Sequence, residues 1–194
     1  MKNDIILSGV GGQGILSIAA IIGLAAVAND LYIKQSEVHG MSQRGGDVQS
    51  HLRLSDKQVA SDLIPYGHAD IIISVEPMES LRYLPRLAQD GWLITNSNPF
   101  INIPEYPGLE EILNEIKKTK NHIIIDADGI AKNLGSARSG NMVILGAAST
   151  YIDMPFESLE NAIKKLFVRK GEQVIEANLK ALNSGREYST GFKI

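Results

Sequence analysis

A short apolar run that ends in a glycine-rich turn and gives way to an apolar helix admits few folds. Ile5-Ile-Leu7 reads as a buried strand, Ser8-Gly-Val-Gly-Gly-Gln-Gly14 as the turn, and residues 12–28 as the helix. That helix is apolar nearly all round, so it must be covered on more than one side. Its apolar run, Ile15 to Ala28, contains Ser17 and Gly23 and is too short to span a bilayer. A strand, a tight turn and a covered helix are the opening of an α/β domain.

The rest of the chain continues the pattern. Tyr32–Val38 reads as a second strand. Val48, Leu52 and Leu54 alternate with Gln49, His51 and Arg53, which predicts a half-exposed strand at an edge or in an antiparallel insertion. His68–Val75 is a buried strand, and Pro77 opens a helix expected to run to about Ala88. Gly91–Thr95 is a strand. Asn96–Phe100 and the prolines at 104 and 107 make an irregular connection. Leu109–Lys118 is an amphipathic helix, His122–Asp126 a buried strand and Ala127–Leu134 a short helix. Three helices follow, at Asn141–Ile152, Phe156–Val168 and Glu172–Leu182. The expected architecture is one α/β domain over residues 1–194. It is a Rossmann-like, mostly parallel sheet flanked by helices, with a helical C-terminal third that covers the sheet and meets other subunits.

Composition narrows the function. A chain of 194 residues suits one domain and buries roughly 70% of its unfolded surface. A net charge of −3 gives no basic excess for nucleic acid. The absence of cysteine excludes disulfides and any thiolate-held iron–sulfur cluster within this chain. With an N-terminus that reads straight into a strand, this fits a cytoplasmic protein without a signal peptide.

Two motifs carry the candidate chemistry. Gly9, Gly11 and Gly14 have the G-x-G-x-x-G spacing between a strand and a helix, with Gly12 and Gln13 inside it. Such a turn brings backbone and a helix N-terminus toward a pyrophosphate, and Glu37 stands where a ribose contact is expected. The same turn serves equally as a tight connection or as an anion or partner site. Gln13 inside the motif and the loop after Glu37 weigh against a simple adenosine pocket. The second motif is that loop. It places His39, Gly40, Ser42, Gln43, Arg44, Gly45 and Gly46 before Asp47, too polar and glycine-rich for core packing. Arg44 is suited to a bidentate contact with a carboxylate or phosphate, or to a brace against Asp47.

Other candidates read as structural. Asp126-Ala-Asp-Gly129 with Asn133 lacks the first glycine of a thiamine diphosphate and magnesium motif, and its asparagine comes too soon, so it reads as a strand end and helix cap. His51, His68 and His122 show no metal-ligand spacing, and Glu76 before Pro77 reads as a cap. There is no serine nucleophile elbow, Walker loop or paired-carboxylate signature. No catalytic and no metal-ligating residue is therefore assigned.

Together, Gly9-Val-Gly-Gly-Gln-Gly14, Val38-His-Gly-Met-Ser-Gln-Arg-Gly-Gly46 and Ser50-His-Leu-Arg53 resemble the gamma-type domain of the 2-oxoacid:ferredoxin oxidoreductases. They are similar in particular to the small (beta) subunits of the indolepyruvate type. Gly67-His-Ala-Asp70, Glu76-Pro-Met-Glu-Ser-Leu-Arg82 and Asn141–Ala147 extend the likeness over nearly the whole chain. The resemblance implies a subunit of an enzyme that decarboxylates a 2-oxoacid, an aryl pyruvate such as indolepyruvate or phenylpyruvate. The acyl group passes to coenzyme A and the electrons to ferredoxin. It implies no cofactor on this chain alone. Thiamine diphosphate, magnesium and iron–sulfur clusters are expected on a larger partner subunit, with coenzyme A and 2-oxoacid at a shared site and ferredoxin reached through the complex. The glycine turn and the His39–Gly46 loop would face that partner. The rival readings are an independent dinucleotide-binding oxidoreductase and a purely structural subunit. Addition of NAD, NADP or FAD to the isolated chain is expected to leave its melting temperature unchanged; a rise with any of them would favour the first rival.

Overall fold

β1 (Lys2–Val10) is the axis of the sheet, and every residue from Asn3 to Val10 is buried. The computed structural model describes residues 1–39 and 45–191. After β1 come α1 (Ile15–Ala28), β2 (Tyr32–His39), β3 (Asp47–Ser55), β4 (Ala69–Ser74), α2 (Pro77–Arg82) and β5 (Leu87–Asn96). Then follow α3 (Leu109–Ile116), β6 (His122–Ile125), α4 (Ala127–Asn133), α5 (Gly140–Ala148), α6 (Phe156–Phe167) and α7 (Glu172–Thr190). The strand order is β2-β3-β1-β4-β5-β6. β1, β4, β5 and β6 run parallel, whereas β3 is antiparallel to both β1 and β2.

The alternation of side chains along β1 sorts them onto two cores. Ile5 and Leu7 join the larger core with residues of α1, α5, α6 and α7. Ile6 points the other way, into a smaller core with Ile112 and Ile116 of α3 and Tyr83. The expected mostly parallel sheet flanked by helices is the observed one. No helix among the described residues is long and apolar enough to cross a membrane.

Three expectations are corrected. β3 is the antiparallel insertion, one place in from the edge, but its polar face is not open to water. His51 is 3% exposed and its Nδ1 accepts the Ile64 N–H at 3.0 Å. Arg53 forks onto Asp4 at 2.7 and 3.0 Å and donates to the carbonyls of Ser61 and Leu63. The segment after β3 thus folds back over it, and the alternation reported a polar core in place of a solvated face. Burial pushes the Asp4 carboxyl up, but hydrogen bonds from Arg53 and Lys2 outweigh burial and hold its pKa below the ordinary value.

The helix opened by Pro77 stops at Arg82 rather than near Ala88, because Pro85 has no N–H to continue it; Leu84–Arg86 tighten into a 3₁₀ turn and Leu87 starts β5. The last helix runs on past Leu182 to Thr190, through Gly185. A glycine inside a helix ordinarily weakens it by about 1 kcal/mol. Here it makes a crossing possible. A side-chain carbon at Gly185 would lie 1.9 Å from the Val143 carbonyl oxygen, and one at Gly146 would lie 1.9 Å from that of Leu182. α5 and α7 therefore touch backbone to backbone through a reciprocal glycine pair. Of the nine residues of α5, only Asn141 is not buried. Gly185→Ala and Gly146→Ala are each expected to destabilise the protein by at least about 2 kcal/mol, since overpacking against backbone cannot relax by a rotamer change. Urea unfolding midpoints within error of the parent would refute this crossing.

Candidate functional site

The two sequence motifs meet at the C-terminal ends of the strands. The glycine turn is shaped by close approach. A side-chain carbon at Gly9 would sit 2.3 Å from Cγ2 of Val75, where β1 and β4 end side by side. Gly14 has φ +82°, and a side-chain carbon there would meet Asn141 Nδ2 at 2.4 Å. The Asn141 amide donates to the Gly14 carbonyl at 3.2 Å, so the start of α5 holds the turn. Gln13 does not reach toward a ligand: its Oε1 accepts the Val10 N–H at 2.8 Å and closes the turn. Gly12, at φ +101°, has open space where a side chain would be.

That space is a crevice. A cavity of about 390 Å³ lies between Gly12–Gln13, the strand ends at Val75 and Asn96, and Asp128, Arg138, Gly140 and Asn141. A second cavity of about 600 Å³ extends from Gly12–Ser17 past Arg138 to Lys170 and Lys180 near the start of α7. From β1 the chain crosses to β2 on one side and from β4 it crosses to β5 on the other, so this is the switch point of the sheet, where open α/β sheets bind ligands. Arg138 and Lys170 were not singled out from the sequence, whereas Asp128 read as part of a helix cap and Asn141 only as part of a family likeness. The only signal was a polar, glycine-containing run ahead of a buried helix.

The loop lies on the other side of the turn. His39 is the last residue of β2, opposite Val48. Its side chain, and Gly40, Ser42, Gln43 and Arg44 entire, lie outside the described residues. Where the chain returns, three contacts fix it. Gly11 N–H donates to the Gly46 carbonyl at 2.9 Å, joining the two motifs directly. The Asn102 amide donates to the Gly45 carbonyl. The Tyr83 hydroxyl donates to the Asp47 carboxylate, at 2.8 and 3.0 Å to its two oxygens. Burial, then Asp47, pushes the Tyr83 hydroxyl well above its ordinary range. Glu79 is 2% exposed beside it. Burial raises its pKa, Asp47 adds to the rise, and Arg82, bonded at 2.7 Å, offsets part of it.

The remaining candidates are accounted for locally. Glu76 caps α2 by accepting the Glu79 N–H at 2.8 Å, and its other oxygen takes the Phe100 N–H and the Tyr106 hydroxyl. Asp126 caps α4 through the Gly129 N–H at 2.8 Å and accepts from Asn98, while Asp128 accepts from Asn96. These carboxylates are committed, so Asp126–Asn133 does not fit thiamine diphosphate or magnesium. Among the described residues no group of three His, Asp or Glu side chains could hold a metal. The ribose role considered for Glu37 is also displaced. β3 lies between β2 and β1, which puts Glu37 two strand spacings, about 10 Å, from the strand that carries the turn.

Comparison with known proteins agrees with the fold. The family model described as pyruvate ferredoxin/flavodoxin oxidoreductase matches residues 4–188. Indolepyruvate oxidoreductase subunit IorB of Archaeoglobus fulgidus is 39% identical, covering 95% of this chain and 94% of that one. The gamma subunit of a keto/oxoacid ferredoxin oxidoreductase from Geobacter sulfurreducens superposes with a TM-score of 0.71 at 25% identity, over 97% of this chain and 99% of that one. The 2-oxoglutarate:ferredoxin oxidoreductase of Magnetococcus marinus, solved with 2-oxoglutarate, coenzyme A and succinyl-CoA bound, shares the fold. Its TM-score is 0.79 at 20% identity, and this chain spans 32% of its length.

The Gly14–Asn141 contact can be read by a double-mutant cycle. Gly14→Ala is expected to cost more than Gly12→Ala, because both strain a positive φ but only the first collides with a side chain. Asn141→Ala removes that collision. The pair Gly14→Ala/Asn141→Ala should therefore cost about 1 kcal/mol less than the sum of the singles in urea unfolding. Strict additivity would show that the two residues do not touch.

Proposed function

Because the chain belongs to the pyruvate ferredoxin/flavodoxin oxidoreductase family, whose model spans residues 4–188, we propose that it is the gamma-type small subunit of an indolepyruvate-type 2-oxoacid:ferredoxin oxidoreductase. The complex decarboxylates an aryl pyruvate oxidatively, transfers the acyl group to coenzyme A and reduces ferredoxin. The aryl substrate is supported by the 39% identity to the Archaeoglobus fulgidus indolepyruvate subunit. Thiamine diphosphate and iron–sulfur clusters, on the larger partner, supply the bond cleavage and the electron path. This chain has no cysteine to hold a cluster, and its Asp126–Asn133 carboxylates are engaged in local bonds.

The contribution of this chain is to bind and to orient. The observation that carries this reading is the Gly11–Gly46 backbone bond, which ties the glycine turn to the end of the polar loop. Beside that bond the N-terminus of α1 carries partial positive charge, and the loop's sequence adds the full charge of Arg44. Negative groups belong there: the phosphates of coenzyme A or the carboxylate of the 2-oxoacid. His39, Ser42 and Gln43 are the further polar groups in the loop's sequence, and the reading assigns them to contact with the partner subunit.

Purified alone, the chain is expected to give no indolepyruvate-dependent reduction of ferredoxin. Co-purified with the thiamine-bearing subunit it should give coenzyme A-dependent turnover, faster with indolepyruvate than with pyruvate. In that complex Arg44→Ala should raise KM for coenzyme A or for the 2-oxoacid roughly tenfold or more, the scale of a lost charge-assisted hydrogen bond, with a smaller change in kcat. Unchanged kinetics would leave the chain a structural partner only, and preference for pyruvate would remove the aryl assignment.

A further inference from the structure

α1 carries an apolar surface that the rest of the chain leaves open. Its 14 residues include no charged side chain and a single hydroxyl, that of Ser17. A helix so apolar needs cover on more than one side. One flank has it: α1 packs on α6, and the Asn29 amide at its C-terminal end donates to the Ser158 hydroxyl at 2.8 Å. The opposite flank does not. Leu16 is 51% exposed and Val27 62%, with Ala20 and Gly23 half-buried between them. These four positions are spaced by four, three and four residues, which sets them in one row along the helix. The middle of the row is low. A side-chain carbon at Gly23 would lie 3.2 Å from Cδ1 of Ile33, and its absence lets α1 rest on β2 there.

The row reads large, small, small, large from either end. That symmetry selects an occupant. In a two-fold pair the same patch must complement itself, whereas a different protein imposes no such rule on the order of sizes. Laid antiparallel on a copy of itself, with the axis between Ala20 and Gly23, Leu16 of each helix meets Val27 of the other and Ala20 meets Gly23. The small residues at the crossing let two helix axes approach to about 8 Å, and the large ones close over the contact at both ends. No charge is buried by the union, because the helix has none. We infer that α1 is a homotypic interface, through which two copies of this chain pair antiparallel along Leu16, Ala20, Gly23 and Val27. The inference stands apart from the reading of the glycine turn and goes beyond it: the small subunit has a two-fold contact of its own.

The chain has no cysteine, so engineered thiols report the register directly. Leu16→Cys and Val27→Cys change exposed side chains and are not expected to disturb the fold. In the antiparallel register like positions lie about 16 Å apart along the helix axis, beyond the reach of a disulfide. Under mild oxidation each variant alone should therefore stay unlinked, while a mixture of the two should give disulfide-bonded dimers. Sedimentation equilibrium of the full chain at micromolar concentration should give twice the chain mass. Val27→Glu should raise the dissociation constant at least about tenfold, since a carboxylate there would be buried without a partner, and should leave the far-ultraviolet circular dichroism unchanged. A monomeric parent at that concentration would overturn the inference. So would cross-linking of either variant alone as readily as of the mixture, which marks a different register or chance collision. Loss of the mixed disulfide when the thiamine-bearing subunit is added, with α1 then protected from hydrogen exchange, would also overturn it, by assigning the row to that subunit. Failure of any complex to reduce ferredoxin would remove the proposed function and leave this contact standing.

Discussion

The reciprocal glycine contact between α5 and α7 is the constraint on which the site depends. With Gly146 and Gly185 each facing the other helix's carbonyl, the two axes approach more closely than any side chain allows. That closeness seats α5 against the sheet with eight of its nine residues buried. A helix so enclosed has no freedom to slide. Its one partly accessible residue, Asn141, therefore arrives at Gly14 at a fixed height and holds the turn between β1 and α1. The crevice at the switch point is bounded by that same helix start, so its width is set by two glycines on the far side of α5.

The sheet contributes a second constraint of a different kind. Inserting β3 between β1 and β2 turns part of the sheet antiparallel and demands a polar interior under the returning segment. Asp4 and Arg53 meet that demand with a forked ion pair whose remaining donors close on the carbonyls of Ser61 and Leu63. A buried pair of this kind is weak support for stability by itself but strongly penalises the loss of either partner. It thereby specifies register. A one-residue slip of β3 would put Arg53 on the opposite face from Asp4. The same insertion moves β2, and Glu37 with it, away from the glycine turn, where a dinucleotide-binding domain would need its ribose contact.

How far the sequence revealed this follows from which forces are local. Strand and helix positions were legible where apolar runs met glycine or proline, as at Ile5–Leu7, His68–Val75 and Pro77. The glycine turn and the polar loop were legible as motifs, and Glu76 and Asp126 as caps. What was hidden depends on contacts distant in the chain. The alternation in β3 reported two chemically distinct faces, and only the returning chain decides whether the polar one is wet. Gly146 and Gly185 look like helix weaknesses until the other helix is present. Gln13 looked like an intruder in a phosphate motif and is the side chain that closes its turn. Arg138 and Asn141 carry no pattern of their own, because their place at the crevice is given by the packing of α5.

The Gly14–Asn141 bond joins residues 127 positions apart. The turn at the beginning of the chain is thus incomplete until α5 has docked, and α5 docks on a helix that ends the described chain. Contacts of such long sequence separation form late and slow the approach to the native state. On a ribosome, the glycine turn emerges before α5 and α7, so Asn141 can hold it only after both have been released and have docked.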